Sequence, residues 1–179
     1  MTTDCSSESV RVYLGLGSNL GDSADIVRKA FGELCLRLRR PRLSSLWRSR
    51  ARYLTDQPDF VNAVAEGETS LSPRELLAMV NAVEAAFGRD RSKEIHKGPR
   101  SLDIDILLYG KKILAEADLI VPHPGLRERK FALLPLLELD PALADPVSGE
   151  RFERILASLP SQGIYLHDRG GYDRFHLWT

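Results

Sequence analysis

Ser101-Leu102-Asp103-Ile104-Asp105-Ile106-Leu107-Leu108-Tyr109 alternates strictly: Leu102, Ile104, Ile106 and Leu108 share one face, and Asp103, Asp105 and Leu107 share the other. A period of two is that of a β-strand, and residues two apart on it lie about 6.6 Å from one another. Two carboxylates on one face of an otherwise apolar strand repel each other and lose hydration unless a cation lies between them. Magnesium prefers such oxygen ligands and completes its shell with water and phosphate. A D-x-D on a solvated face satisfies the same pattern, so the flanking sequence has to decide.

Gly98-Pro99-Arg100 leads directly into this strand. Upstream, Ser72-Pro73-Arg74-Glu75 is a capping box with proline at the first helical position, Leu76, Val80, Val83 and Phe87 repeat at helical spacing, and Gly88 is the stop. Arg89 and Arg91 follow it, within a non-periodic stretch to Pro99 that reads as an exposed loop. Singly these arginines are surface charges. Around D-x-D they form a set able to fork onto phosphate oxygens that metals also hold, which is the layout of a phosphoryl-transfer site.

Farther upstream, Val10, Val12, Leu14 and Leu16 alternate as a strand that runs into Gly15-Leu16-Gly17-Ser18-Asn19-Leu20-Gly21-Asp22. The glycine spacing fits neither the dinucleotide fingerprint nor a P-loop, leaving a tight turn or a bare backbone surface for a flat ligand. Asp22 or Ser23 caps a helix with Ile26, Ala30, Phe31, Leu34, Cys35 and Leu38 on its apolar stripe, which Pro41 is expected to end. A second strand is expected at Leu43 to Trp47, a loop at Ala51 to Pro58, and a third strand from Phe60 to Val64, closing toward Glu68. Asn62 between Val61 and Ala63 needs a hydrogen-bond partner if buried, and an amide reads the edge of a heterocycle well. Phe60 and Phe131 suit either core or ligand wall.

Downstream, Lys111 to Ile113 is expected to pair back on the Asp103 strand through Gly110. His123 stands between Pro122 and Pro124. A partly helical segment from Leu126 to Leu139 should kink or end at Pro135, a short helix lies near Phe152 to Leu159, and the rest of the tail carries no interpretable motif. The order β-α-β-β-α-β predicts an α+β, ferredoxin-like sandwich.

Composition agrees with one domain over residues 10–179 after a disordered tail over 1–9. The chain has 179 residues, 43% of them hydrophobic and 28% charged, and at that length a second fused enzyme is not expected. No apolar run reaches membrane-span length, and the polar N-terminus does not read as a signal peptide, so a cytoplasmic protein is expected. Lys plus Arg is 25 and Asp plus Glu is 25, a balance that argues against a general nucleic-acid binder. With only Cys5 and Cys35, neither a disulfide framework nor a cysteine zinc site is expected.

In order, Tyr13–Asp22, Asp56-Gln57-Pro58-Asp59-Phe60-Val61-Asn62-Ala63, Gly98–Ile106, and Val121-Pro122-His123-Pro124 with Arg129-x-Phe131 resemble 6-hydroxymethyl-7,8-dihydropterin pyrophosphokinase over roughly residues 10 to 150. The resemblance implies an α-β-α sandwich with a mostly antiparallel sheet. It implies transfer of pyrophosphate from ATP to the pterin's hydroxymethyl oxygen in folate synthesis, with AMP released and two magnesium ions in use. By the same resemblance Asp103 and Asp105 are the metal ligands and, with Arg89 and Arg100, catalytic. Glu84, Arg91, Ile106, His123 and Arg129 line the ATP side. Asn19, Ser49, Phe60, Asn62 and Phe131 serve the pterin side. The two substrates are the expected partners of a monomer, or at most a weak dimer, that uses neither membrane nor nucleic acid. Arg50, Asn81, Lys97 and Pro124 depart from the family's usual residues. The alternatives are an inactive pterin- or nucleotide-binding module, a metal-dependent nucleotide hydrolase, and a ferredoxin-like RNA-binding domain.

Overall fold

The alternation of Val12, Leu14 and Leu16 builds the central strand of the molecule, β1 (Val10–Ser18). After it come α1 (Ser23–Cys35), β2 (Arg39–Leu43), β3 (Leu46–Ser49), β4 (Phe60–Thr69), α2 (Pro73–Ala86), β5 (Asp103–Tyr109), β6 (Leu114–Glu116), β7 (Leu119–Val121), α3 (Lys130–Leu139), α4 (Phe152–Ser158), β8 (Ile164–Asp168) and β9 (Tyr172–Asp173). The computed structural model describes residues 9–50, 57–89 and 98–169 and the backbone of 172–173. Apart from Ser9, the tail expected over 1–9 lies outside the described residues, as does Cys5.

The main sheet runs β5-β1-β4-β2-β9, with β3 paired to β4 and β8 to β3, and every pairing is antiparallel. Its β5-β1-β4-β2 centre is the ferredoxin-like order predicted from the element sequence. On one face, α1 and α2 bury Phe31, Leu34, Leu76 and Val80 against Leu14, Leu16, Val61 and Ile104. On the other, α3 and α4 bury Leu133, Leu136 and Phe152 against Tyr13, Val64, Leu107 and Leu108. The sheet is thus the middle layer of an α-β-α sandwich, buried on both faces. Asp22 caps α1 through the Asp25 N–H, and Ser72 with Glu75 makes the reciprocal capping box of α2.

Five local expectations are corrected. Pro41 does not end α1, which already ends at Cys35 as the Leu34 carbonyl accepts from the Arg37 and Leu38 N–H groups. Pro41 sits in β2 at a register shift between Arg39 and Arg42, a place where a strand tolerates a missing N–H. The single strand expected at Leu43 to Trp47 is two, β2 and β3, broken at Ser44-Ser45, where Ser44 Oγ accepts from the Val64 N–H. Leu108 leaves the face of Ile106, because a bulge against Tyr13 and Leu14 adds one residue and turns it into the opposite core. Lys111 to Ile113 form a turn instead of pairing with β5, and β6 pairs with β7 as a separate ribbon. Pro135 sits inside a continuous α3; the chain breaks earlier, at Arg129, after a single 3-10 turn over Leu126–Glu128.

Candidate active site

Side chains alternating off β1, β4 and β5 meet on the α3 side of the sheet. Register pairs Gly17 with both Asp103 and Asn62, and Gly15 with both Asp105 and Val64. Two rows therefore cross the sheet: Asp103-Gly17-Asn62 and Asp105-Gly15-Val64. Neighbouring strands lie about 4.8 Å apart, so the acidic edge stands about 10 Å from the amide edge, with backbone between them. A Cβ at Gly17 would meet Asn62 Oδ1 at 3.5 Å, and one at Gly15 would meet the Leu107 side chain at 3.3 Å. The glycines keep the floor open, which supports the bare-backbone reading of this turn. Above them is a cleft of about 350 Å³ lined by ten expected site residues: Ser49, Phe60, Asn62, Arg89, Arg100, Asp103, Asp105, His123, Arg129 and Phe131.

At the acidic edge, Arg89 pairs with both Glu84 and Asp103, and Arg100 donates to Asp103 Oδ2 at 2.8 Å. Gly88, at φ +81°, turns the chain so that Arg89 can reach back over the end of α2. Arg100 Nε is buried with no hydrogen-bond partner among the described residues, a donor left for an acceptor that enters the cleft. Asp105 is held more loosely, with His123 Nε2 at 3.6 Å and Arg129 at 3.8 Å. Burial, and then the charge of Asp103, push its carboxyl up to about 6. His123 Nδ1 accepts the Gly125 N–H at 3.1 Å, so the neutral ring carries its proton on Nε2, facing Asp105. Burial, and then Arg129, lower the imidazole to about 4.

Asp105, whose charge is disfavoured here, shares its strand face with the Asp103 carboxylate, and such a pair suits a divalent cation. Among the described residues no cluster of three or more His, Cys, Asp or Glu side chains could hold a metal. The oxygen donors of Asp103 and Asp105 fit a hard ion that draws its remaining ligands from water and phosphate.

At the amide edge, Asn62 Nδ2 donates to Ser49 Oγ at 2.9 Å, which turns Oδ1 toward Gly17 and the cleft. Phe60 and Phe131 stand as aromatic walls, and the Arg129 guanidinium lies 5.8 Å from the Phe131 ring.

Three of the expected residues that the structure describes do not line the cleft. Ile106, one residue past Asp105, points by strand alternation into the α1/α2 core, so only its backbone lies on this strand's edge of the site. Glu84 is 1% exposed and lies beneath the site, where it accepts the Ile104 N–H at 2.7 Å and holds Arg89. Asn19 is a buried tie: Oδ1 accepts the Arg100 N–H at 2.8 Å, and Nδ2 donates to Gln57 Oε1 at 3.0 Å and the Pro58 carbonyl at 3.2 Å. Arg91 lies outside the described residues, as do positions 51–56 and 90–97 of the two expected loops. Leu107, Gln57 and Arg50 also line the cleft, beyond the residues expected from the sequence. Leu107 is legible as the third member of the Asp103 and Asp105 face, whereas Arg50 is marked in the sequence only by its departure from the family's usual residue.

The family model for 7,8-dihydro-6-hydroxymethylpterin-pyrophosphokinase (HPPK) matches residues 13–141. A pyrophosphokinase of Pseudomonas aeruginosa named for 2-amino-4-hydroxy-6-hydroxymethyldihydropteridine is 41% identical over 157 residues, covering 86% of this chain and 94% of its own. One of the same name from Aquifex aeolicus is 43% identical over 137 residues, covering 76% and 84%. The folic acid synthesis protein fol1 of Pneumocystis carinii is 40% identical over 156 residues, or 84% of this chain; the chain spans only 21% of that protein, and 22% of the matching one from Schizosaccharomyces pombe. A crystal structure of Plasmodium falciparum HPPK-DHPS shares the fold, with a TM-score of 0.69 at 14% identity over 94% of this chain and 50% of that one. The matched span contains both aspartates, the glycine strip and Asn62 on one sheet face, and the chain belongs to the 7,8-dihydro-6-hydroxymethylpterin-pyrophosphokinase family.

Proposed function

We propose that the protein transfers the pyrophosphoryl group of ATP to the hydroxymethyl oxygen of 6-hydroxymethyl-7,8-dihydropterin, releasing AMP. The observation that carries this reading is the Asp103-Gly17-Asn62 row, which puts a cation-seeking edge and a heterocycle-reading edge on one open floor. A flat pterin lies between Phe60 and Phe131, its edge read by Asn62 Oδ1, with its hydroxymethyl arm directed along the glycine strip. The triphosphate lies over Asp103 and Asp105, where Arg89 and Arg100 take phosphate oxygens and the buried Arg100 Nε gains an acceptor. The neutral His123 offers a donor without adding charge, and Arg129 supplies a cation beside Asp105.

Asp103 and Asp105 would hold magnesium, two ions in this reading, which supplies charge neutralisation on the phosphates and a lowered hydroxyl pKa. No side chain in the cleft is assigned as general base; juxtaposition of the two substrates is the main device. Among the described residues no helix is long and apolar enough to cross a membrane, and the balanced charge suits two small substrates better than a nucleic acid. The test is product analysis with ATP, magnesium and the reduced hydroxymethylpterin. AMP forming one-for-one with pterin diphosphate, and only when pterin is present, is expected. ADP with phosphate, or nucleotide breakdown without pterin, refutes the assignment.

A further inference from the structure

The family model's match ends at residue 141, yet the chain returns to the main sheet after that point. β8 pairs antiparallel with β3, placing Leu46 opposite Asp168, Trp47 opposite Leu166, Arg48 opposite Tyr165 and Ser49 opposite Ile164. β3 is the strand that carries Ser49 to Asn62, and its end forms the outer wall of the amide edge.

Little apolar burial holds β8 in place: Tyr165 is 50% exposed and Leu166 39%. Its polar side chains tie it at three separate points instead. Asp168 pairs with Arg28 of α1, His167 Nδ1 accepts from Arg48 Nε at 3.1 Å, and Tyr165 OH donates to Asp59 Oδ2 at 3.3 Å. Asp59 lies between Pro58, whose carbonyl accepts from Asn19, and Phe60, an aromatic wall of the cleft. A strand that adds little to the core, but grips both β3 and the segment entering β4, has the geometry of a brace.

We infer that β8 is a positioning element for the heterocycle side of the cleft, acting through the Tyr165–Asp59 hydrogen bond and the β3 pairing to hold Ser49, Phe60 and Asn62 in binding geometry. The brace rests on the assignment of this wall to the pterin. None of its residues touches the substrate; they set the wall before the substrate arrives, so the effect falls on pterin affinity and not on the triphosphate side.

The test uses the intact 179-residue chain and five variants. Tyr165→Phe removes one donor, Asp59→Ala removes its acceptor, and Asp59→Asn keeps an oxygen acceptor. Tyr165→Phe and Asp59→Ala are expected to raise KM for the hydroxymethyldihydropterin about fivefold each, the scale of one lost hydrogen bond. KM for magnesium-ATP and kcat at saturating pterin stay near the parent's. Asp59→Asn restores the parent KM, and the Tyr165→Phe/Asp59→Ala pair is no worse than either single variant. Amide exchange at Trp47, Arg48 and Ser49 in the ligand-free protein speeds up in Tyr165→Phe and not in Asp59→Asn. Unchanged pterin KM and unchanged β3 exchange in both Tyr165→Phe and Asp59→Ala would overturn the brace. Asn62→Ala separates the two levels: if it leaves pterin KM unaltered, the wall assignment fails and the brace with it. If it weakens pterin while Tyr165→Phe does not, the brace alone fails.

Discussion

Glu84 offers the sharpest test of how the site is supported. Its carboxylate is 1% exposed, accepts the Ile104 N–H at 2.7 Å, and pairs with Arg89, whose side chain is 6% exposed and reaches on to Asp103. Glu84→Ala breaks a buried ion pair, which costs about 3–5 kcal/mol, and strands a buried backbone donor, which costs about 1–3 kcal/mol. Because Arg89 keeps Asp103 as a partner, the lower part of that combined range applies, about 4 kcal/mol. For a chain of this size that is a fall in Tm of about 10 °C. Glu84→Gln keeps an oxygen for Ile104 and loses only the charge, so about half that loss is expected. The assay is reversible thermal and urea unfolding of both variants, with a double-mutant cycle on Arg89→Met. The coupling energy should exceed about 1.5 kcal/mol, since removing both partners leaves neither charge buried alone. A Glu84→Gln stability within about 0.5 kcal/mol of the parent, together with an additive cycle, would refute the reasoning.

Three further outcomes follow from the site. Asp105 has its folded pKa raised to about 6, so it binds more protons in the folded than in the unfolded state between about 4 and 6; its contribution to stability is full at lower pH and is lost as pH rises through 6. Asp105→Asn should therefore stabilise the ligand-free protein at pH 8 by about 1 kcal/mol, a figure discounted for its 38% exposure, while abolishing magnesium-dependent activity; calorimetry and turnover check the pair of effects. His123, lowered to about 4, should remain neutral at pH 5.5, as its imidazole resonances in an NMR titration would show, and a midpoint above 6 would contradict the buried, Arg129-facing geometry. Gly17→Ala should fold normally, because its Cβ meets only Asn62 Oδ1 at an ordinary 3.5 Å, yet it should weaken pterin binding at least tenfold in equilibrium titrations by raising the floor between the two edges, about 1.4 kcal/mol or more.

The main strands and the first two helices were legible because their signals are local. The alternation in Val10 to Leu16, the Ser72 capping box and the face shared by Asp103 and Asp105 depend on residues within one turn or one strand. The misplacements have non-local causes. Leu108 changes face because of a bulge set by the neighbouring strand, and Pro41 is accommodated by a register shift against β4. The tail from Ile164 lacked a pattern because β8 is held by pairing and side-chain ties to β3, α1 and Asp59, not by an apolar stripe of its own.

The same division runs through the site. The sequence by itself determined the chemistry: two carboxylates at strand spacing, arginines on either side, an amide in an apolar strand, and the family to which that order of motifs belongs. Only the tertiary structure decided how these groups meet. Antiparallel register places Gly17 between Asp103 and Asn62, strand alternation sends Ile106 into the opposite core, the packing of α2 on β5 sinks Glu84 beneath Arg89, and side-chain hydrogen bonds make Asn19 a tie between two chain segments rather than part of the cleft lining. Residue type fixes what a side chain can donate, accept or neutralise, whereas the atom that receives it is chosen by cross-strand pairing between residues tens of positions apart in the chain.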